Sequence, residues 1–181
     1  MHLAYRILLQ VLVFFQVLIG VFAASTTPQK VNLTTIATNS KKESTLECWQ
    51  LDAPLVASAA AGTAGAVFAQ LGGTGATSYG LIPPRFNGGL HNAPSVQYVA
   101  FLSGKAVISL PNSTQTATVP GGRNGLILAI DIKNVSTLGH ITVYPSNQTT
   151  VVLQIPTANN TIPAHSVLHN GPCFDSEQNT Q

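Results

Sequence analysis

From Gln97 to Pro156 the chain is a succession of short β-rich runs, "QYVAFLSGKAVISLP", "NGLILAIDI", "HITVYP" and "TVVLQIP", separated by Gly, Pro, Asn and Ser. Turn residues recur before a helix could complete three turns, and β-branched and aromatic side chains fill the runs, so helical templates fit poorly. The spacing predicts an all-β sandwich or barrel. One stretch competes. "VASAAAGTAGAVFAQLGG", Val56 to Gly73, is Ala-rich, but its repeated Gly opposes a helix. A mainly strand reading is expected from Ala64 to Ile82. No charged residue occurs from Ala53 to Pro84; Gly, Ser and Thr dilute that segment too much for a membrane span, so buried strands are expected there.

The first 23 residues carry Arg6, an apolar run and the small-residue pattern Val21-Phe22-Ala23. They read as a signal peptide cleaved after Ala23, because Gln10 and Gln16 interrupt a run too short to anchor in a bilayer. Secretion to the extracellular space, with no membrane attachment after cleavage, is the expectation. Residues 24–46, rich in Thr, Ser, Asn and Lys, read as a flexible leader, residues 47–173 as one domain, and residues 174–181 as a tail. In an oxidising compartment the two cysteines, Cys48 and Cys173, read as a disulfide. Five Asn-x-Ser/Thr sequons, at Asn32, Asn112, Asn134, Asn147 and Asn159, predict an N-glycosylated surface. Without Arg6, seven Lys/Arg face six Asp/Glu. No basic stripe exists for a phosphate backbone, which excludes nucleic acid as the expected partner.

The stretch "GGLHNAPSVQYVAFLSG" places His91, Ala93, Gln97 and Gly104 at the spacing of a metal-binding motif that reads His-x-His, then Glu, then Gly. "PGGRNGLILA" keeps Pro120 and Gly122 of a second motif but has Gly125 and Ala129 where His and Asn would stand. Both motifs belong to the cupins, and from about Val67 to Cys173 the chain resembles the cupin-like small secreted proteins of filamentous fungi. That resemblance implies a double-stranded β-helix, or jelly-roll, barrel. It implies little about activity, since only one of four metal-ligand positions is kept outright.

Residues 91, 93 and 97 share parity, so on a regular strand all three would face one side, and in a jelly roll that side lines a cavity. Gly104 and Pro120-Gly121-Gly122 are expected to form tight turns that bring partner strands back. His91 and Gln97 are the first candidate site residues, with Tyr79, Tyr98 or Arg85 as hydrogen-bonding partners. His140 is the next; a surface turn is the favoured reading for it, a place beside His91 the alternative. His165 and His169 sit four apart near the disulfide and read as a closing strand at the domain edge. A divalent transition metal would have to be held by His91, Gln97 and His140, a set without a carboxylate, so no cofactor is expected. Three functions stay open: a protein that binds a small or carbohydrate-like ligand or acts at a cell surface; a metal-free isomerase, cyclase or lyase tailoring a secreted natural product, with His91 as acid/base; and a metallo-cupin with rearranged ligands.

Overall fold

A computed structural model describes residues 29–178. The expected signal peptide, the first part of the expected leader (24–28) and residues 179–181 lie outside the described residues. In chain order the strands are β1 (Lys30–Thr38), β2 (Ser44–Pro54), β3 (Val56–Ala57), β4 (Val67–Phe68), β5 (Ser78–Ile82), β6 (Phe86–His91) and β7 (Gln97–Phe101). They continue as β8 (Lys105–Ser109), β9 (Thr116–Pro120), β10 (Leu126–Ala129), β11 (His140–Tyr144), β12 (Thr150–Pro156) and β13 (His165–Asn170). The protein is all-β: a 3-10 turn at Ala158–Asn160 is the one helical element among the described residues. None of their helices is long and apolar enough to cross a membrane.

The strands form a seven-stranded sheet, in the order β13-β2-β1-β10-β7-β12-β5, a four-stranded sheet, in the order β6-β11-β8-β9, and a two-stranded β3-β4 pair. β1 runs parallel to β10, and the other pairings are antiparallel. Alternation explains where each side chain goes. On β7 and β10, Val99, Phe101, Ile127 and Ala129 face Ala106, Ile108, Ala117 and Val119 of the four-stranded sheet. Their neighbours Tyr98 and Leu128 point the other way and pack with Leu33, Trp49 and Leu51. Each fully buried Leu or Ile of such a cluster contributes about 1.5–3 kcal/mol.

Residues 30–46 correct the expectation of a flexible leader. "KVNLTTIAT" is β1, held between β2 and β10 near the middle of the large sheet. Its centre is buried on both faces, Leu33 and Ala37 in one cluster and Ile36 in the other. Burial on both sides erases the apolar-polar alternation that marks a strand, and β-branched Thr34 and Thr35 fill the pleat as Val or Ile would. Residues 64–82 depart from the strand reading in the other direction. β4 has two residues, the chain then runs irregularly to β5 with one bridge at Thr74, and Val67 and Phe68 are exposed. Repeated Gly in this stretch withholds the side chains that would pack a sheet.

The turns after β7 and β9 are not hairpins. Ser103-Gly104 sends the chain from the large sheet to the small one, and Gly121-Gly122 sends it back. The two turns bond to each other through the Gly121 N–H and Gly104 carbonyl at 2.9 Å. Gly125 is required where it stands, because a Cβ there would collide with the Phe101 carbonyl. A histidine at that position is therefore incompatible with this backbone.

The Cys48–Cys173 disulfide is formed and ties β2 to the segment after β13. Residues 174–178, expected in the tail, turn back onto the sheet: the Glu177 carbonyl accepts from Asn32 Nδ2 at 2.6 Å, and its carboxylate accepts from the Phe174 N–H and from His169 Nε2. His169 Nδ1 also faces an acceptor, the Asn170 carbonyl at 2.9 Å. With acceptors on both nitrogens the imidazolium is favoured, so the Asn170 carbonyl and then Glu177 raise the His169 pKa against the opposing effect of burial. For Glu177 burial acts upward, but the Phe174 N–H and His169 outweigh it and its pKa falls. The raised His169 value gives stability that is full below the ordinary 6.5 and is lost as pH rises through the folded value. The lowered Glu177 value gives stability that is full above the ordinary 4.5 and is lost as pH falls through the folded value. This clasp is thus tightest between about 4.5 and 6.5. In Glu177→Gln the His169 pKa, followed by NMR, is expected to move down toward 6.5; an unchanged titration would contradict the clasp.

Candidate functional site

Gly139 lies in the left-handed region, with φ 79°, and a Cβ on it would collide with the His91 carbonyl. Glycine therefore lets the chain approach β6 closely enough to start β11 at His140, directly opposite His91. The two imidazoles are 4.5 Å apart between ring centroids, with planes inclined by 56°. His140 is 5% exposed, so the surface-turn reading is corrected: it belongs inside, beside His91. His91 in turn is exposed at the rim of the cavity.

Behind His140 lies Asp131, fully buried just after β10. His140 Nδ1 donates to Asp131 Oδ2 at 2.7 Å, and Ser44 Oγ donates to the same oxygen at 2.8 Å. The Ser44 hydroxyl proton is thereby committed, so Ser136 donates across the 2.7 Å contact to Ser44. Ser136 Oγ accepts from the Gly139 N–H at 3.0 Å. Asn92 Nδ2 closes the network by donating to the carbonyls of Asp131 and Ser136, both at 3.0 Å. The loop that delivers His140 and the carboxylate that orients it are thus one hydrogen-bonded unit. His91 is oriented separately, by its Nδ1 donating to the Gly89 carbonyl at 3.0 Å. With Nδ1 donating in each ring, the tautomer these contacts favour has its lone pair on Nε2.

The histidines stand at one side of a cavity of about 380 Å³ between the two sheets. Asn92, Gln97, Thr142, Tyr144 and Gln154 supply the other polar groups, and Ile36, Val99, Phe101, Ile108 and Ile127 form apolar wall. Burial pushes the Tyr144 phenol above its ordinary 10.0, so it stays a neutral hydrogen-bond donor at working pH.

His91, Gln97 and His140, the residues singled out in the sequence, meet at this one cavity, with Ala93 between them. They do so without the regular strand expected for 91–97: β6 ends at His91, Ala93 makes a single bridge to Ile132, and β7 begins at Gln97. The proposed partners are elsewhere. Tyr79 is exposed on the edge strand β5, Tyr98 lies in the outer cluster, and Arg85 donates to Asn147. His165 stacks on Trp49 at the β13 edge, as a closing strand predicts, and His169 belongs to the Glu177 clasp. Sequence reasoning missed Asp131. Its signal was present, a lone acid ending the apolar run "GLILAID", in a region between the cysteines whose other carboxylate is Asp52.

The donor set does not fit a cupin metal centre. Two imidazole Nε2 atoms and the Gln97 amide are present, but the nearby carboxylate is committed to His140 Nδ1. Among the described residues the one cluster of three metal-type donors is Cys48, Cys173 and Glu177, and both sulfurs are consumed by the disulfide. No protein-family model matches the chain, and no curated protein matches it in sequence. The site therefore rests on its own geometry.

Proposed function

We propose that this is a secreted protein of cupin-like jelly-roll architecture that carries out metal-free proton transfer on a small organic molecule, in the manner of an isomerase, cyclase or lyase. The jelly-roll reading is supported by strand order. Counting β5 to β12 as one to eight, the large sheet runs 6-3-8-1 and the small sheet 2-7-4-5, the pairing of two interlocked Greek keys. β1, β2 and β13 extend the large sheet beyond β10. Secretion is supported by the long-range disulfide and by four sequons, Asn112, Asn134, Asn147 and Asn159, that are exposed outside the strands. Asn32 differs, since its carboxamide bridges Gln50 and Glu177 within the fold.

The carrying observation is the 2.7 Å contact between buried Asp131 and His140 beside His91. A carboxylate on Nδ1 fixes the tautomer and stabilises the imidazolium formed when Nε2 takes a proton. His140 is thus the base, a role the sequence had given to His91. In the proposed step a C–H next to a carbonyl gives its proton to His140 Nε2, and the C–H electron pair moves through the carbon to the carbonyl oxygen. The Tyr144 hydroxyl donates a hydrogen bond to that oxygen. Return of the proton at a different carbon isomerises the substrate; departure of a β-substituent completes an elimination. His91, at the rim, orients the incoming molecule.

Hydrogen–deuterium exchange tests this without knowledge of the natural substrate. In D2O the protein is expected to accelerate loss of the α-proton NMR signals of small enolisable ketones and lactones, to do so equally with a chelator present, and to lose the effect in His140→Gln. A wild-type protein that binds these compounds without exchanging them would overturn the catalytic reading in favour of a binding protein; inhibition by the chelator would favour a rearranged metal site.

A further inference from the structure

We infer that the cavity selects a neutral, compact molecule and rejects ions. The inference rests on the proposed function only for where the reactive group sits.

Among the described residues, none of the side chains lining the cavity is Lys, Arg, Asp or Glu. Asp131, the nearest carboxylate, is fully buried and turned to His140 and Ser44. A carboxylate, phosphate or ammonium entering this space would give up its hydration with no Lys, Arg, Asp or Glu to pair with, which proteins seldom tolerate while the imidazoles are neutral. The wall still offers hydrogen bonds: His91 and Gln154 are exposed, and Gln97, His140 and Thr142 lie deeper, each no more than 5% exposed, beside Ile36, Ile108 and Ile127. A neutral ligand with a polar group therefore finds partners both at the rim and inside. A volume of about 380 Å³ lies near the lower end for small-molecule sites, which suits one ring or a short branched chain.

A matched set of probes of one shape tests this: cyclohexyl methyl ketone, cyclohexanecarboxylate and cyclohexylmethylamine, titrated by NMR at pH 8, where ordinary imidazole is neutral. The ketone is expected to bind at least about tenfold more tightly than either ion, because only the ions lose charge hydration. Filling the cavity with Ala129→Leu should abolish ketone binding. Because that substitution also loads the core, a second measurement stands beside it: intermolecular NOEs from the ketone ring to the methyls of Ile108 and Ile127 in the wild-type protein. Equal or tighter binding of an ion, or ketone binding without those NOEs, overturns the inference. Ketone binding with no proton exchange would instead sink the proposed catalysis and leave the ligand class standing. Proton exchange confined to charged substrates would do the reverse.

Discussion

Asp131→Asn is expected to cut the catalysed exchange rate by about 10²–10⁴-fold, the range contributed by a positioned acid/base group, while the protein remains folded. The substitution keeps the shape of a side chain that is fully buried and bonded to His140 and Ser44. What disappears is the negative charge behind the ring. When Nε2 takes a proton, the imidazolium no longer faces a carboxylate, and an amide N–H turned toward Nδ1 would force the unproductive tautomer. Removing a buried charge does not leave a new one exposed, so the fold loses at most about 1–3 kcal/mol from a weakened hydrogen-bond set. Asp131→Ala is the poorer experiment, since it strands Ser44 and His140 together. Exchange kinetics beside a thermal melt measure both effects; an unaltered rate in a folded Asp131→Asn protein would remove Asp131 from the mechanism.

Replacing Cys48 and Cys173 together by alanine is expected to lower folding stability by about 4–5 kcal/mol on the chain-entropy account. The bond closes a loop with a sequence separation of 125 and so restricts most of the unfolded domain. Domains of this size commonly have 5–15 kcal/mol in total, so the double variant sits close to unfolding at ambient temperature. The loss should begin at β13, an edge strand that pairs with β2 alone. The segment from 171 to 178, which carries Glu177 back to His169 on β13, is anchored through the same cysteine. Urea unfolding monitored by Trp49 fluorescence reads the change, and a midpoint within error of the wild type would show the bond to be dispensable.

Parts of this organisation are legible in the residues because they are local. The runs "QYVAF", "KAVIS" and "TVVLQIP" became β7, β8 and β12 since β-branched and aromatic side chains suit a pleated surface and their flanking Gly, Pro and Asn end it. The pairing of the cysteines needed only their number and the expected compartment. His91, Gln97 and His140 were singled out from spacing and chemical type, and all three line the cavity.

Tertiary structure decided the rest. β1 was hidden because a strand buried on both faces has no period to read, and its Thr content resembles that of a leader. The turns at Gly104 and Gly122 looked like hairpins, yet each transfers the chain between sheets, a choice made by which distant strands are waiting to pair. The role of Asp131 was beyond local pattern altogether. It meets His140 because Gly139 admits the close approach to His91 and because β11 adopts a register that sets His140 opposite that residue. Side-chain alternation and turn propensity are properties of neighbours in sequence; register and sheet membership are set by contacts between segments far apart, and the His91–His140–Asp131 cluster was built from those contacts.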